Sequence, residues 1–402
     1  MASEKARAVA EPRHYERTHP WLTFQVDLSH AGYRLWLLLG EATSKCEHIA
    51  TTPLKPATSR ELRKVYLIKG VQGTTAIEGN TLTEDEIRRR LDGKLILPPS
   101  KEYLGREVDN IIQACEQVWA DIVGGQSQHL TAEEVCQHNA MALRGLELPE
   151  EVAPGEVRSH SVGVARYLGA PPQDCEYLLR RLCDWLNDPA FCRTDAEAIV
   201  WGVIRAVLGH LYLAWIHPFG DGNGRTARLL EFRILASAGV PSPVAHLLSN
   251  HYNQTRAEYY RRLERASRDR GHGVASFLEY AIQGFVDGLK EQLAWTQRQE
   301  LEIAWRDYVY EAFGDKSTPA EQRRRALVLS LSAADRPVSP QEARRLSPEV
   351  AEAYASRISR TLLRDLDDLH EMGLIATDAR GIRANRDVMF AFLPARRTHD
   401  QT

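Results

Sequence analysis

The chain has 402 residues, 43% of them hydrophobic and 26% charged, with a formal net charge of −3. That length and apolar content support a sizeable core and two or three domains, while the slightly acidic balance excludes a globally basic nucleic-acid binder. Six cysteines include no CxxC pair and fourteen histidines no HExxH, so neither a disulfide framework nor a zinc site is signalled and a reducing cytoplasm is the expected location.

Residues 1–20 are polar and charged with no apolar run, which predicts a disordered start and no secretory leader. Residues 21–100 predict a helical N-terminal region ending at the Pro98-Pro99 break. Within it Arg60 to Glu78 predicts a helix, Gly79 suits the residue just past its end, and Thr83 to Glu86 spells a capping box that opens the next helix. Glu78 then faces the negative end of its own helix dipole, a misplaced charge.

Residues 101–313 read as a run of helices with one hairpin inserted, which makes the core all-α. Glu102 to Val123 is regularly amphipathic, and Glu156 to Gly169 alternates enough for a short hairpin. Ala198 to Ile216 is long and apolar, but Arg205 near its centre and His210 after it favour a buried core helix over a membrane span. Thr226 to Ala238 predicts a helix closed by Gly239 and Pro241, and Asn250 to Ser267 a helix carrying Tyr259 and Tyr260, an aromatic pair of the kind that usually packs in a core.

Residues 319–394 change character, reading as Ala320–Ala333, Pro340–Leu346 and Glu349–Met372 in helix, then Leu374 to Leu393 as a strand-like return turning at Gly381. This order resembles a winged helix-turn-helix. From Pro319 to Arg397 there are 14 arginines against 11 acidic residues, and Arg357, Arg360 and Arg364 share a helical face suited to phosphate contacts. Asp365, Asp367 and Asp368 crowd the same helix, so DNA binding and protein contact both fit.

Between the apolar helix and the next lies the most chemically loaded segment, His217-Pro218-Phe219-Gly220-Asp221-Gly222-Asn223-Gly224-Arg225-Thr226-Ala227-Arg228. Glycines at 220, 222 and 224 let successive N–H groups converge at a helix N-terminus, an anion nest suited to phosphate. Arg225 and Arg228 sit on one face of the first turn, where the dipole disfavours cations by roughly 0.3–1 kcal/mol each unless an anion joins them. Asp221 is a hard oxygen ligand of the kind Mg²⁺ takes beside phosphates, and His217 can act as a general base near neutral pH. The loop lacks the Lys-Ser/Thr of a P-loop and the preceding strand of a dinucleotide fingerprint.

At every specified position this run resembles the Fic signature HPFx(D/E)GNGRxxR. The resemblance implies a protein adenylyltransferase in which His217 takes the proton from a Ser, Thr or Tyr hydroxyl of a target protein, itself included. It implies ATP and Mg²⁺, with Asp221 holding the metal. Gly222, Asn223 and Gly224 would cradle the α- and β-phosphates, Arg225 the β-phosphate side and Arg228 the γ-phosphate. Thr74-Thr75-Ala76-Ile77-Glu78-Gly79-Asn80 resembles the family's inhibitory pattern (S/T)xxxE(G/A)N, which implies that Glu78 pairs with Arg228 and competes with the γ-phosphate. The hairpin is similar to the family's flap over the nucleotide, placing Val164 and Tyr167 there, and Tyr259 and Tyr260 fall where relatives build an adenine pocket. Many relatives are dimers, so a homodimer is expected by analogy.

Two other readings stay open. One is a transcriptional regulator that binds DNA through its C-terminal segment and senses nucleotide with its core; the other is a Fic enzyme that removes AMP.

Overall fold

In the computed structural model, residues 13–28, 31–125, 129–164, 167–191, 194–269, 272–314 and 318–390 are described. The chain forms two compact units, 1–293 and 294–402.

The first unit is helical. Its elements in order are α1 (His14–Thr18), α2 (Tyr33–Thr51), α3 (Pro56–Ala76), α4 (Glu84–Leu91), α5 (Glu102–Val123) and α6 (Ala132–Leu143). The hairpin β1 (Gly163–Val164) and β2 (Tyr167–Leu168) follows, then α7 (Pro172–Leu186), α8 (Ala198–Ile216), α9 (Asn223–Ser237), α10 (Leu247–Gln254), α11 (Arg256–Arg268) and the start of α12 (Gly273–Phe313). At the centre α8 packs along α9, flanked by α7, α6 and α5. Helix α8 is long and apolar enough to cross a membrane, yet from Gly202 to Ile216 only Arg205 and Ala214 are not buried inside the fold. Burying so much aliphatic surface is the main favourable term in holding the unit together.

Helix α3 approaches α10 through glycines. A Cβ at Gly70 would lie 2.5 Å from the His246 ring and one at Gly73 2.8 Å from the Ser249 carbonyl, so only glycine permits this spacing. The end of α3 follows the sequence expectation, with Gly79 at φ +104° and Thr83 and Glu86 capping α4 reciprocally.

The start of the chain departs from expectation. Although polar, residues 14–18 are helical because long-range partners anchor them: Tyr15 is buried, its N–H donates to Asp174 at 2.7 Å, and its hydroxyl accepts from Arg181 at 2.6 Å. Residues 1–12 of the expected disordered start lie outside the described residues.

The second unit contains the end of α12, α13 (Pro319–Ser332), α14 (Pro340–Ala343), α15 (Pro348–Ala355), α16 (Ser359–Glu371) and a hairpin of β3 (Ile375–Asp378) and β4 (Gly381–Ala384), with Val338 bridging to Ile382. Its boundary falls at 293/294, inside α12 and not between 313 and 319, because Trp305, Val309 and Phe313 join the core of Leu327, Leu366 and Leu369. The single helix expected over 349–372 is two. Arg344 donates to the carbonyls of Tyr354 at 2.5 Å and Arg357 at 2.7 Å, ending α15 by a tertiary cap. Arg357 therefore lies before α16 and not on its face.

Candidate active site

The end of α8, the loop after it and the start of α9 assemble the site. His217 terminates α8 in a left-handed conformation, φ 52°, uncommon for a residue with a side chain. Gly222 enters α9 with φ +74°, and a Cβ there would press on Asn139 and Leu143 at 3.0 Å. The loop between is closed by Asn223, whose side chain accepts from Phe219 N at 3.0 Å and donates to Phe219 O at 2.8 Å. Asn223 is thus buried and turned into the loop, so it shapes the nest and offers a ligand its backbone N–H alone. From outside, Asn139 donates to the Asp221 carbonyl at 2.9 Å and to Thr226 at 3.1 Å.

His217 is half-buried, with Nδ1 3.4 Å from the Ala214 carbonyl, an arrangement that favours the proton on Nδ1 and leaves the Nε2 lone pair free. Burial pushes its pKa down to about 4. The Ala214 carbonyl, Glu78 and Asp221 work against that fall and Arg158 adds to it. A neutral imidazole at physiological pH is what a general base requires.

The two motif arginines have different partners. Arg225 is buried and donates to Glu107 at 2.9 Å and, more loosely, to both Asp221 oxygens at 3.3 Å. Arg228 is buried and donates through Nη2 to the Thr74 carbonyl at 3.0 Å and to Glu78 Oε1 at 2.5 Å. Among the described residues its Nε and Nη1 have no hydrogen-bond partner. A Cβ on Gly224 would overlap Glu78 Oε1, so the carboxylate rests directly against the first turn of α9, in the nest itself. Burial works to raise the Glu78 pKa, but the charge and hydrogen bond of Arg228 outweigh it and hold the group below its ordinary value. Arg256 fastens the α3 terminus by donating to Ala76 O at 3.2 Å and Ile77 O at 2.5 Å.

The Asp221 carboxylate stands at the mouth of the nest with its side chain 47% exposed, open to a further partner. Among the described residues no group of three His, Cys, Asp or Glu is arranged to hold a metal. A single carboxylate is nonetheless enough where phosphates complete the coordination of Mg²⁺.

The hairpin brings Val164 opposite Tyr167; its turn residues 165 and 166 lie outside the described residues. Tyr167 is an anchor: its hydroxyl donates to Trp215 O at 2.7 Å and its ring lies edge-on to His19. The adenine-pocket expectation fails for Tyr259, which is buried with its hydroxyl 2.8 Å from His210 Nε2 and its ring stacked on Tyr252. Tyr260 is 41% exposed and keeps a free face. Sequence reasoning missed Glu107 and Arg158. Glu107 accepts from Asn80 of the inhibitory pattern at 2.9 Å, a contact that nothing in the sequence signals.

Residues 129–235 match the Fic/DOC family model. The protein adenylyltransferase fic-1 of Caenorhabditis elegans is 30% identical over 238 residues, 58% of this chain and 44% of that protein. The protein adenylyltransferase Fic of Nematostella vectensis is 29% identical over 247 residues, 61% of this chain and 53% of that one. The chain thus spans about half the length of the curated relatives it matches. A solved structure of Fic-1 from C. elegans is similar with a TM-score of 0.55 and 26% identity, covering 66% of this chain and 73% of that one. A Fic family protein from Desulfovibrio desulfuricans G20 shares the fold at a TM-score of 0.55 and 20% identity, over 89% of this chain and 97% of that one.

Proposed function

We infer that this chain, whose residues 129–235 form a Fic domain, transfers AMP from ATP to a hydroxyl of a protein and is restrained by Glu78. The observation that carries the reading is the seat of Glu78: an anionic group lies against Gly224, on an arginine with two N–H-bearing nitrogens still unpartnered. A phosphate offers the same charge with more acceptor oxygens and suits that arginine better.

In the reaction, the target hydroxyl oxygen attacks the α-phosphorus as His217 Nε2 takes its proton. The bond from the α-phosphorus to the bridging oxygen breaks and pyrophosphate leaves. The backbone N–H groups of residues 222–224, Arg225 and Arg228 hold the phosphates in line, so positioning and electrostatics supply most of the rate. Asp221 is the residue that would hold Mg²⁺, whose charge neutralises phosphate oxygens. With Glu78 in place, Arg228 is denied to the γ-phosphate and ATP sits unproductively.

With the restraint removed by Glu78→Gly, labelled ATP should leave AMP covalently on protein, seen as label and by mass spectrometry. His217→Ala in that background should abolish it, and residual incorporation of similar size would reassign the base.

A second reading concerns the C-terminal unit, expected above to be a winged helix. Of the four acids on α16, Asp365 is buried on Arg323 and Arg324 and Asp368 pairs with Arg324, while Asp367 and Glu371 are exposed. Arg360 and Arg364 are exposed on that helix and Arg357 just before it, a basic surface suited to DNA phosphates. The full chain should bind duplex DNA with an affinity that falls steeply with salt and weakens on Arg360→Ala with Arg364→Ala. Binding indifferent to both would leave this unit a protein-contact module.

A further inference from the structure

Arg158, at the entry to the hairpin, is only 5% exposed. Its Nε donates to the His217 carbonyl at 2.7 Å, Nη1 to the His160 carbonyl at 2.6 Å and Nη2 to the Ala170 carbonyl at 2.6 Å. Among the described residues no carboxylate pairs with it. Buried guanidinium groups ordinarily have an anionic partner, because an uncompensated charge is costly to bury. Here three carbonyl dipoles stand in for one, and they come from three places: the general base itself and the two ends of the hairpin segment.

The backbone around it closes the same junction. Arg158 N donates to Pro218 O at 2.9 Å, Ala170 N to Ile216 O at 3.1 Å, and Val157 bridges to Phe219. A Cβ at Gly169 would come within 2.8 Å of both Arg158 Nη2 and His217 Cβ, so a glycine there is what lets guanidinium and imidazole lie together. His217, meanwhile, holds a left-handed backbone that costs energy without outside support.

We propose that Arg158 is a positioning residue for the transfer: one guanidinium fixes the His217 backbone in its left-handed turn, ties both ends of the hairpin to it, and keeps a net positive charge beside the imidazole. The proposal rests on the adenylyl-transfer reading for its kinetic consequence and on geometry alone for the rest. The planar fork is essential to it, since a lysine ammonium keeps the charge but is a point donor that cannot span three carbonyls in the same plane. Among the charged groups acting most strongly on His217, Glu78 and Asp221 favour imidazolium and Arg158 is the cation that disfavours it.

The test uses the full chain carrying Glu78→Gly, with Arg158→Lys and Arg158→Met added separately. Both variants should lower kcat on the order of 100-fold, the usual consequence of a small misplacement of a reacting group, while KM for ATP moves less than about threefold. Arg158→Met should move the His217 imidazole titration, followed by NMR, toward higher pH, and Arg158→Lys should leave it nearly in place. A lysine variant as fast as its parent would overturn the positioning role. An imidazole titration unmoved by methionine would overturn the charge role. The NMR readout stands even if the parent transfers nothing, an outcome that would count against adenylyl transfer and not against Arg158. Should the methionine variant fail to fold, the lysine kinetics still decide the positioning role, and Arg158→Gln, which also removes the charge, takes the place of methionine in the titration.

Discussion

Each unit of the molecule buries an arginine–carboxylate site, and the two are built differently. In the C-terminal unit Asp365 has no exposed surface and is fully engaged: Oδ2 accepts from Arg323 at 2.8 Å and from the Tyr354 hydroxyl at 2.9 Å, and Oδ1 from Arg324 at 2.9 Å. In the N-terminal unit Glu78 keeps a third of its side chain exposed and meets an Arg228 with two donor nitrogens unpartnered. A completed network has nothing left to offer a ligand, so its role is to hold structure. An incomplete one, at a helix N-terminus, is available to a better anion.

The largest stability difference should follow from breaking the two carboxylates. Asp365→Ala strands the buried Arg323 guanidinium and takes one of two carboxylates from Arg324, and should cost the C-terminal unit about 3–5 kcal/mol in urea unfolding. Glu78→Gly also takes the carboxylate from a buried guanidinium, Arg228, but the vacated position is a third exposed and admits water, so the loss should be smaller. Equal losses would erase the distinction between the sites.

A smaller effect concerns pH. The Glu78 pKa is lowered, so its pairing is fully present above the ordinary carboxyl range and is lost only as pH falls through the lowered folded value. The ratio of incorporation by Glu78→Gly to that by the wild-type chain should therefore stay flat from about pH 8 to about pH 5.5. A ratio collapsing toward one on mild acidification would mean that protonation releases the restraint.

What the sequence could reveal follows from where each signal is written. The loop from His217 to Arg228 is local: its glycines, base, acid and arginines are near neighbours, and the backbone conformation they need is encoded in place. Glu78 was legible because its charge is wrong for its own helix end and right for another. Tyr259 was not, because an aromatic pair on a helix does not say which ring faces the core, and His210, which settles it, is distant in sequence. The break between α15 and α16 has no glycine or proline to announce it; the cap comes from Arg344 by tertiary contact. Arg158 was invisible for a similar reason, since its partners are backbone carbonyls and carry no residue-type signature.

In the proposed function, Glu78 and the nucleotide compete for Arg228. The most direct measurement is the rate of AMP incorporation from labelled ATP by the wild-type chain and by Glu78→Gly, under identical conditions. Competition predicts a rise of at least about tenfold in the variant, equivalent to about 1.4 kcal/mol of relieved restraint. Equal rates would contradict it and leave the Glu78–Arg228 pair a structural contact like that of Asp365.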